Sequence, residues 1–482
     1  MVPRAVLTAA RTAQAERLGE LCAWLAIPSV SADPARADDV ARAARWLVSW
    51  QRAHGATVEV RRTAHGSAVV LGHWAGPPGA PLVVLYGHYD VQPPGPGWSS
   101  PPFRPLVRDG RIVARGAGDD KGQFFAHLCA LAAWRRAGVL PVRVLSIADG
   151  AEEVGSPGFD VVAGRLARRH RPTAVVISDT ERAADGAPTV TLSQRGHVVA
   201  GVEVDTGGPD VHPGRLGGAV VDAGLVLAEI LLALRAELLE MLDGETPGRP
   251  DVPVQVRPDS AVVRAAGGRS TTGPDLDERI TRRATLGVTR LVGGGRGGAL
   301  PAESAARVDI RLPPRASPTV VVDRARRLVE QLAPAGTTVR LRLIAATRGL
   351  ETMPAPPLRS AVEAACEAGF GQGPVYVRSG GSIPAAGMLA RAFGIDPVLL
   401  GFGSPGGNAH GPDESMDLGG WAASVETSLA LMPGLAGLNR GHGVAVEGGK
   451  QETEIFRSVH RVRPRRTLPG RCGDLEQRWP VN

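Results

Sequence analysis

The chain has 482 residues, which is too long for one hydrophobic core. Of these residues 43% are hydrophobic and 21% are charged, a composition typical of globular proteins. No apolar run approaches the roughly 18 residues of a membrane-spanning helix, which argues against a membrane protein. The net charge of +7 partly reflects the segment 437–482, which carries nine Arg and Lys against five Asp and Glu, and it does not indicate nucleic-acid binding.

The first part of the chain alternates helical and extended patterns. Apolar residues at helical spacing predict two early helices, the first with Leu18, Leu21 and Leu25 on one face. Short β-rich runs follow, among them PLVVLY, then a predicted helix over residues 123–136 and the strand-like runs VRVLSIAD and TAVVIS. Strands that are apolar throughout are buried on both faces. The alternation predicts an α/β fold with a central sheet flanked by helices.

A second pattern begins near residue 194. HVVAGVEVD alternates apolar and polar residues, a long helix is predicted over residues 219–242, and ARVDIRLPP reads as a strand. We interpret 194–314 as a smaller α+β domain inserted into a catalytic domain formed by 1–193 and 315–436. The segment 437–482 has little periodicity and predicts a disordered basic tail.

The N-terminus and the cysteines bear on location. The first residues lack the continuous apolar stretch and cleavage site of a signal peptide. The four cysteines are scattered and form no CxxC pair; they are Cys22, Cys129, Cys366 and Cys472. Reduced thiols in a cytoplasmic protein are therefore expected, instead of a disulfide framework.

Histidine and acidic residues follow several predicted strands. His88 and Asp90 end PLVVLYGHYD and share one face, because strand residues i and i+2 point the same way. A single His–Asp hydrogen bond that stabilises a loop would explain this pair alone. Glu152 and Glu153 follow VRVLSIAD, and Asp179 follows TAVVIS. The carboxyl ends of strands are where α/β sheets place their sites.

Two glycine-rich loops supply further groups. RGAGDDKG places Asp119 and Asp120 before a helix, and GNAHGPDE presents His410. Each loop alone is also compatible with a solvated turn or a helix cap. Together, two imidazoles and several carboxylates form a ligand set for zinc, cobalt or manganese, and not a calcium cage or a thiolate site.

The order of these motifs, GHxD, GxxDxKG, EE with GS, SD, GGSIP and NAH, resembles the carboxypeptidase G, aminoacylase and carnosinase family of dinuclear zinc metallopeptidases. The likeness extends from about residue 10 to about residue 435. YGHYDVQPP, RGAGDDKGQ and RSGGSIPAA are most similar to the dipeptidase branch. The resemblance implies a zinc-peptidase-like catalytic domain with a mixed central sheet and an inserted lid domain that mediates dimerisation.

The resemblance also implies a role for each residue. Two divalent ions, zinc or alternatively cobalt or manganese, would be held by His88, Asp119, Glu153, Asp179 and His410. Asp119 would bridge the ions, His88 and Asp179 completing one site and Glu153 and His410 the other. Glu152 would be the general base. Asp90 would orient His88 by accepting its second ring N–H. The choice of Asp119 over Asp120 rests on the family alone.

Substrate contacts are implied as well. His212 in DVHPGRLGG would donate to the oxyanion in the partner subunit's active site, which implies a homodimer. Arg311 in DIRLPP would bind the substrate carboxylate, assisted by the turn Gly380, Gly381 and Ser382. The plain structural alternatives are a loop histidine and a strand-end arginine on a solvated face.

Three functional hypotheses remain. The leading one is a cytoplasmic dipeptidase that hydrolyses the amide bond of a small peptide substrate with metal-activated water. An N-acyl-amino-acid amidohydrolase is the first alternative, because the same di-metal core cleaves either amide. An inactive binding protein on the same fold is a remote alternative. Asp149 and Ser379 stand where the family usually has glutamate, which leaves the substrate open.

Overall fold

A computed structural model of the chain describes residues 1–138, 140–243, 252–255 and 276–438. The helices are α1 Arg4–Thr12, α2 Gln14–Leu25, α3 Ala37–Ala53, α4 Lys121–Ala137, α5 Phe159–Arg169, α6 Pro213–Leu216, α7 Ala223–Leu242, α8 Leu276–Thr281, α9 Pro318–Leu332, α10 Pro356–Phe370, α11 Pro384–Phe393 and α12 Leu418–Ala436. The strands are β1 Thr57–Arg62, β2 Ala68–Trp74, β3 Leu82–His88, β4 Leu106–Arg108, β5 Arg111–Val113, β6 Arg143–Asp149, β7 Ala174–Ile177, β8 Thr189–Gln194, β9 Gly196–Asp205, β10 Thr285–Val292, β11 Glu303–Leu312, β12 Thr338–Thr347, β13 Leu350–Glu351, β14 Val375–Ser379, β15 Val398–Gly401 and β16 Ser415–Asp417. Among these helices, none is long and apolar enough to cross a bilayer. The predicted tail lies outside the described residues beyond 438.

A nine-stranded mixed sheet forms the centre of the larger body. Its order is β1-β2-β6-β3-β7-β15-β8-β13, with β14 beside β8. β3 runs parallel to β6 and β7, and β15 runs parallel to β7. Along β3, Val83 and Leu85 point into one hydrophobic core and Val84 and Tyr86 into another. This burial on both faces accounts for the uniformly apolar strands and confirms the predicted α/β fold.

Helices cover both faces of this sheet. The core on one face is built from α2, α3, α4, α10 and α12, and the core on the other from α5 and α11. α4 is buried from Lys121 to Trp134 because it lies between the sheet and outer helices. It begins two residues before the predicted start, directly after Asp120, so its first turn adjoins the acidic loop.

A second core surrounds the antiparallel sheet β10-β11-β9-β12, on which α7 and α9 pack. α7 begins at Ala223 and not at 219, because the Asp222 side chain accepts the N–H groups of Gly224 and Leu225 at 2.8 and 3.2 Å. α9 and β12 pack in this core, although they lie beyond residue 314, where the sequence predicts the end of the insertion. An amphipathic pattern such as that of α9 does not reveal which sheet the helix covers.

Candidate metal centre

The acidic and histidine residues converge because of strand direction. β3, β6, β7 and β15 are parallel to one another, so their carboxyl ends meet at one edge of the sheet. His88 ends β3, Asp179 lies two residues after β7, and Glu153 follows β6 in a short 3₁₀ turn. His410 lies in the loop after β15, where its backbone φ is 63°.

One group of potential ligands consists of His88, Asp119 and Asp179, whose ligand atoms lie within 4.8 Å of one another. His88 Nε2 is 3.0 Å from Asp119 Oδ1 and 3.7 Å from Asp179 Oδ1. The other ring nitrogen, Nδ1, is 3.0 Å from the carbonyl oxygen of Asp90. With Nδ1–H donating to that carbonyl, Nε2 faces the two carboxylates.

A second group consists of Asp119, Glu153 and His410, again within 4.8 Å. His410 Nε2 is 2.8 Å from Asp119 Oδ2 and 3.4 Å from Glu153 Oε2. Asp119 thus turns one carboxylate oxygen toward each group, while Asp120, joined to it by a cis peptide bond, belongs to neither. The His410 side chain is 56% exposed, so the cluster opens to solvent on that side.

The cluster concentrates negative charge in a buried place. Burial raises the pKa of Asp179 to about 7, and the neighbouring Asp119 carboxylate adds to the shift. Burial and Asp119 likewise raise the pKa of Glu153. Hydrogen bonds to Asp119 and Glu153 raise the pKa of His410 to about 11. Burial lowers the pKa of His88, but its contacts with Asp119 and Asp179 outweigh this and raise it.

These groups suit divalent cations. Both imidazoles face carboxylate oxygens through Nε2, and no thiol lies in either group. Imidazole with carboxylate is a borderline-to-hard donor set that fits zinc, cobalt or manganese. The raised pKa values of the imidazoles favour their protonated forms, and a bound cation would take the place of those protons. The cation would also balance the negative charge of the carboxylates.

Asp90 differs in part from the expectation. Its carboxylate Oδ1 is 3.5 Å from His88 Nδ1, whereas its backbone carbonyl makes the closer contact at 3.0 Å. The carboxylate instead accepts the backbone N–H groups of Glu152 and Glu153, both at 3.1 Å, and the Ser31 hydroxyl at 2.6 Å. Asp90 therefore orients His88 mainly through its main chain and holds the diglutamate turn through its side chain.

Glu152 lies beside the ligands without being one of them. Burial raises the pKa of its carboxyl well above the usual value, and Asp179 and Glu153 contribute in the same direction. A carboxyl with a raised pKa can both accept and return a proton near neutral pH. Its neighbour Glu153 is fixed differently, because Gln92 donates to it from the backbone at 3.1 Å and from the side chain at 2.8 Å.

Other predicted site residues lie apart from this cluster. His212 is exposed, its Nδ1 accepts the Gly214 N–H at 3.1 Å, and within the described residues no hydrogen bond or ion pair joins it to the ligands. Arg311 on β11 donates to both Asp309 oxygens, at 2.8 and 3.2 Å, so these contacts engage two of its five N–H donors within the protein.

The turn formed by Gly380, Gly381 and Ser382 connects β14 to α11. The Gly381 N–H donates to Ser379 Oγ at 3.1 Å, and the Ser382 hydroxyl donates to the carbonyl oxygen of Arg195. Arg195 Nε in turn donates to the Gly380 carbonyl at 3.3 Å. Two of the donors expected to face a substrate are therefore engaged within the protein.

Sequence reasoning missed two buried charged residues behind the ligands, Arg115 and Glu414. Both stand inside the quoted motifs, in RGAGDDKG and GNAHGPDE. The available signal was a charged residue in a glycine-rich loop, four positions from a ligand: Arg115 precedes Asp119 by four residues, and Glu414 follows His410 by four. Lys121 is buried as well, and its Nζ donates to the carbonyls of Trp24 and Ile27 at 3.1 and 3.0 Å.

A comparison with protein families matches residues 84–433 to a family described as Peptidase family M20/M25/M40. The chain belongs to this family. The match covers every residue of both ligand groups, and it confirms the resemblance to metallopeptidases and that the chain is an enzyme.

Curated relatives of this M20-family enzyme bear dipeptidase names. It is 26% identical over 452 residues to the Cys-Gly metallodipeptidase dug1 of Schizosaccharomyces pombe, covering 86% of the chain and 94% of the relative. It is 27% identical over 404 residues to the cysteinylglycine-S-conjugate dipeptidase of Corynebacterium striatum, covering 80% and 88%. The solved structure of the di-peptidase Dug1p from Saccharomyces cerevisiae has the same fold, with a TM-score of 0.78, 22% identity and coverage of 90% and 98%.

Metal binding should release protons. Because the pKa of His410 is raised to about 11 and that of His88 is also raised, both imidazoles are protonated in the metal-free protein at neutral pH. Zinc must displace those protons, so its apparent affinity should rise with pH up to the raised pKa values, which for His410 is about 11. Calorimetric titration in buffers of different ionisation enthalpy measures the protons released. Binding without proton release would contradict the assignment of these imidazoles as ligands.

Proposed function

We propose that this M20-family enzyme is a di-metal dipeptidase that hydrolyses the amide bond of dipeptides or short peptides. The observation that carries the proposal is the position of Asp119, which turns one oxygen to His88 and the other to His410. The dipeptidase names of relatives that cover most of the chain support the substrate class.

Two divalent ions, zinc in the first place, would be held by His88 and Asp179 on one side, Glu153 and His410 on the other, and Asp119 between them. When bound, they would supply Lewis acidity toward the scissile carbonyl and lower the pKa of water. The protein's own part is to hold these donors in fixed orientation, which the hydrogen bonds of Asp90 and Gln92 support.

Glu152 is the general base in this proposal. Its carboxylate takes a proton from the attacking water and then delivers that proton to the nitrogen of the leaving amine. Burial supports this role, since it raises the pKa of Glu152 toward the range in which both transfers are feasible. The hydrogen bond from the Glu152 N–H to Asp90 keeps the residue beside the ligands during both steps.

A homodimer formed through the second body would bring His212 to the site of the partner subunit. Leu225 and Leu232 on α7 are 64% and 67% exposed, and they lie seven residues apart on one face of the helix. Val288 and Leu291 on β10, the edge strand of the second sheet, are 47% and 66% exposed. Exposed apolar side chains next to an open sheet edge favour association with a second copy.

The N-acyl-amino-acid amidohydrolase remains the second candidate because of Ser379. Where the dipeptidase branch usually has glutamate, this serine accepts the Gly381 N–H and offers no negative charge to a substrate ammonium group. Free dipeptides would then gain less from this turn than in other members of the branch.

The inferred cytoplasmic location, from the scattered cysteines, stays a prediction.

The substrate class is tested by turnover of matched pairs in which the same dipeptide carries either a free or an acetylated N-terminus, with zinc, cobalt and manganese in turn. We expect higher kcat/KM for the free dipeptides, since the proposed function is that of the dipeptidase branch. Higher kcat/KM for the acetylated member of each pair would replace the dipeptidase proposal with the amidohydrolase.

Exchange of Glu152 for glutamine tests the general base. Glu152→Gln keeps the size of the side chain but removes its proton-accepting oxygen, so kcat should fall by about 10²- to 10⁴-fold while metal content is unchanged. The matched control is Glu153→Gln at the adjacent position, where metal content should fall as well. Near-normal turnover by a metal-loaded Glu152→Gln enzyme would remove Glu152 from the mechanism.

Complementation between subunits tests the role of His212. His212→Ala and Asp119→Ala should each abolish most turnover, the first with its metal retained. If the chains reassort at random, half of the dimers are hybrids with one complete site, so a mixture should recover about a quarter of the wild-type activity. Absence of recovery, together with hybrid dimers detected by mass spectrometry, would show that each site is built within one chain.

A further inference from the structure

Behind the ligand cluster lies a buried ion pair, Arg115 with Glu414. Their side chains are 1% and 0% exposed, and Arg115 Nη1 donates to Glu414 Oε2 at 2.6 Å. Arg115 begins the loop that carries Asp119, and Glu414 ends the loop that carries His410. The pair therefore joins two segments that are 299 residues apart in sequence.

Glu414 fixes the main chain of the Asp119 loop. Its Oε2 also accepts the Gly116 N–H at 3.1 Å, and its Oε1 accepts the N–H groups of Gly118 and Asp119 at 2.8 and 3.0 Å. With the guanidinium, four donors surround one carboxylate. A buried carboxylate with this many donors holds its partners in one geometry, because each lost bond would leave a buried polar atom unsatisfied.

Arg115 fixes the main chain of two further segments, the loop that carries His410 and the residues that follow β3. Its Nη2 donates to the carbonyl of His410 at 3.0 Å and to that of Pro93 at 3.2 Å. The residue before Pro93 is Gln92, which holds the Glu153 carboxylate from both its backbone and its side chain. The guanidinium also lies 5.2 Å from the centre of the Trp98 ring.

The two halves of the pair thus act on different ligands. Glu414 accepts the N–H of Asp119, which both groups share. Arg115 donates to the carbonyl of His410 and to that of Pro93, next to the Gln92 that holds Glu153, and His410 and Glu153 belong to the second group alone. The ligands of the first group, His88 and Asp179, are carried by β3 and by the residues after β7. Among the described residues, the pair makes no hydrogen bond to either of them.

We propose that Arg115 and Glu414 are positioning residues that set the affinity for each metal ion separately. Glu414 controls both ions through Asp119, and Arg115 controls only the ion held by Asp119, Glu153 and His410. This inference rests on the proposed di-metal function. Exchange of residues that orient metal ligands typically changes metal affinity by about 10- to 100-fold, which sets the size of the expected effects.

The test compares Arg115→Lys and Glu414→Gln in the full-length chain. Lysine retains a cation for Glu414 but lacks the planar fork that reaches the His410 carbonyl. Glutamine retains the size of Glu414 but loses the charge that accepts four donors. Each protein is stripped with a chelator and titrated with Co²⁺ and with Zn²⁺, followed by visible absorption, calorimetry and metal content after dialysis.

For wild type we expect two ions per chain. Arg115→Lys should keep one ion at wild-type affinity and bind the other about 10- to 100-fold more weakly, whereas Glu414→Gln should weaken both ions by a similar factor. Trp98→Ala leaves the buried pair intact and should weaken the same single ion as Arg115→Lys, by a smaller factor. It provides the measurement if either pair variant does not fold.

Arg17→Lys is the matched control. Arg17 is 9% exposed in its side chain and pairs with Glu20 within α2, away from the ligand loops. It should bind two ions with wild-type affinity. Thermal unfolding of the metal-free forms separates positioning from general stability. A purely structural role would lower the unfolding midpoint and would weaken both ions equally in Arg115→Lys, where the positioning role predicts that only one ion is weakened.

The outcomes distinguish this proposal from the function it rests on. Wild-type affinities for both ions in Arg115→Lys and Glu414→Gln would overturn the positioning role alone. The same conclusion would follow if Arg115→Lys, Trp98→Ala and Glu414→Gln each weakened both ions equally. A wild-type protein that binds fewer than two ions would overturn the di-metal function, and this proposal with it.

Discussion

The proximity of several carboxylates to two imidazoles at one edge of a buried sheet is the constraint on which the site depends. Burial raises the pKa of Asp179 to about 7, and the shared neighbour Asp119 adds to the effect. Such a cluster destabilises the fold unless positive charge enters it. Protons on His88 and His410 supply part of that charge in the metal-free chain, and divalent cations bound by the same residues would supply more of it.

Hydrogen bonds to the main chain hold the segments that carry the ligands together against the repulsion between their carboxylates. Asp90 holds the N–H groups of Glu152 and Glu153, Glu414 holds that of Asp119, and Arg115 holds the carbonyl of His410. All of these contacts act on backbone atoms, so they position the ligands without competing for the oxygen and nitrogen atoms that would bind a metal. This arrangement explains why so many charged side chains are buried next to one another.

The contacts proposed for the substrate belong to a different body and are less complete. His212 is exposed, and Arg311 is engaged by Asp309. His212 directly precedes α6, and Arg311 lies on β11 of the second sheet, while the ligands lie at the edge of the large sheet. If His212 and Arg311 bind the substrate as proposed, a second subunit or a movement between the two bodies would have to bring them to the ligands, whereas both ligand groups already lie together at one edge of one sheet.

The amino-acid sequence by itself determined the fold class and the chemistry of the ligand set. Strand periodicity and apolar runs identify β3, β6 and β7, and residues such as His88 and Asp179 stand out because polar groups directly follow buried strands. The tertiary structure alone decided that Asp90 holds the diglutamate turn, that Arg115 pairs with Glu414, and that β12 joins the second sheet. The physical reason is that these contacts join segments far apart in the chain, and local periodicity carries no information about which distant segments meet.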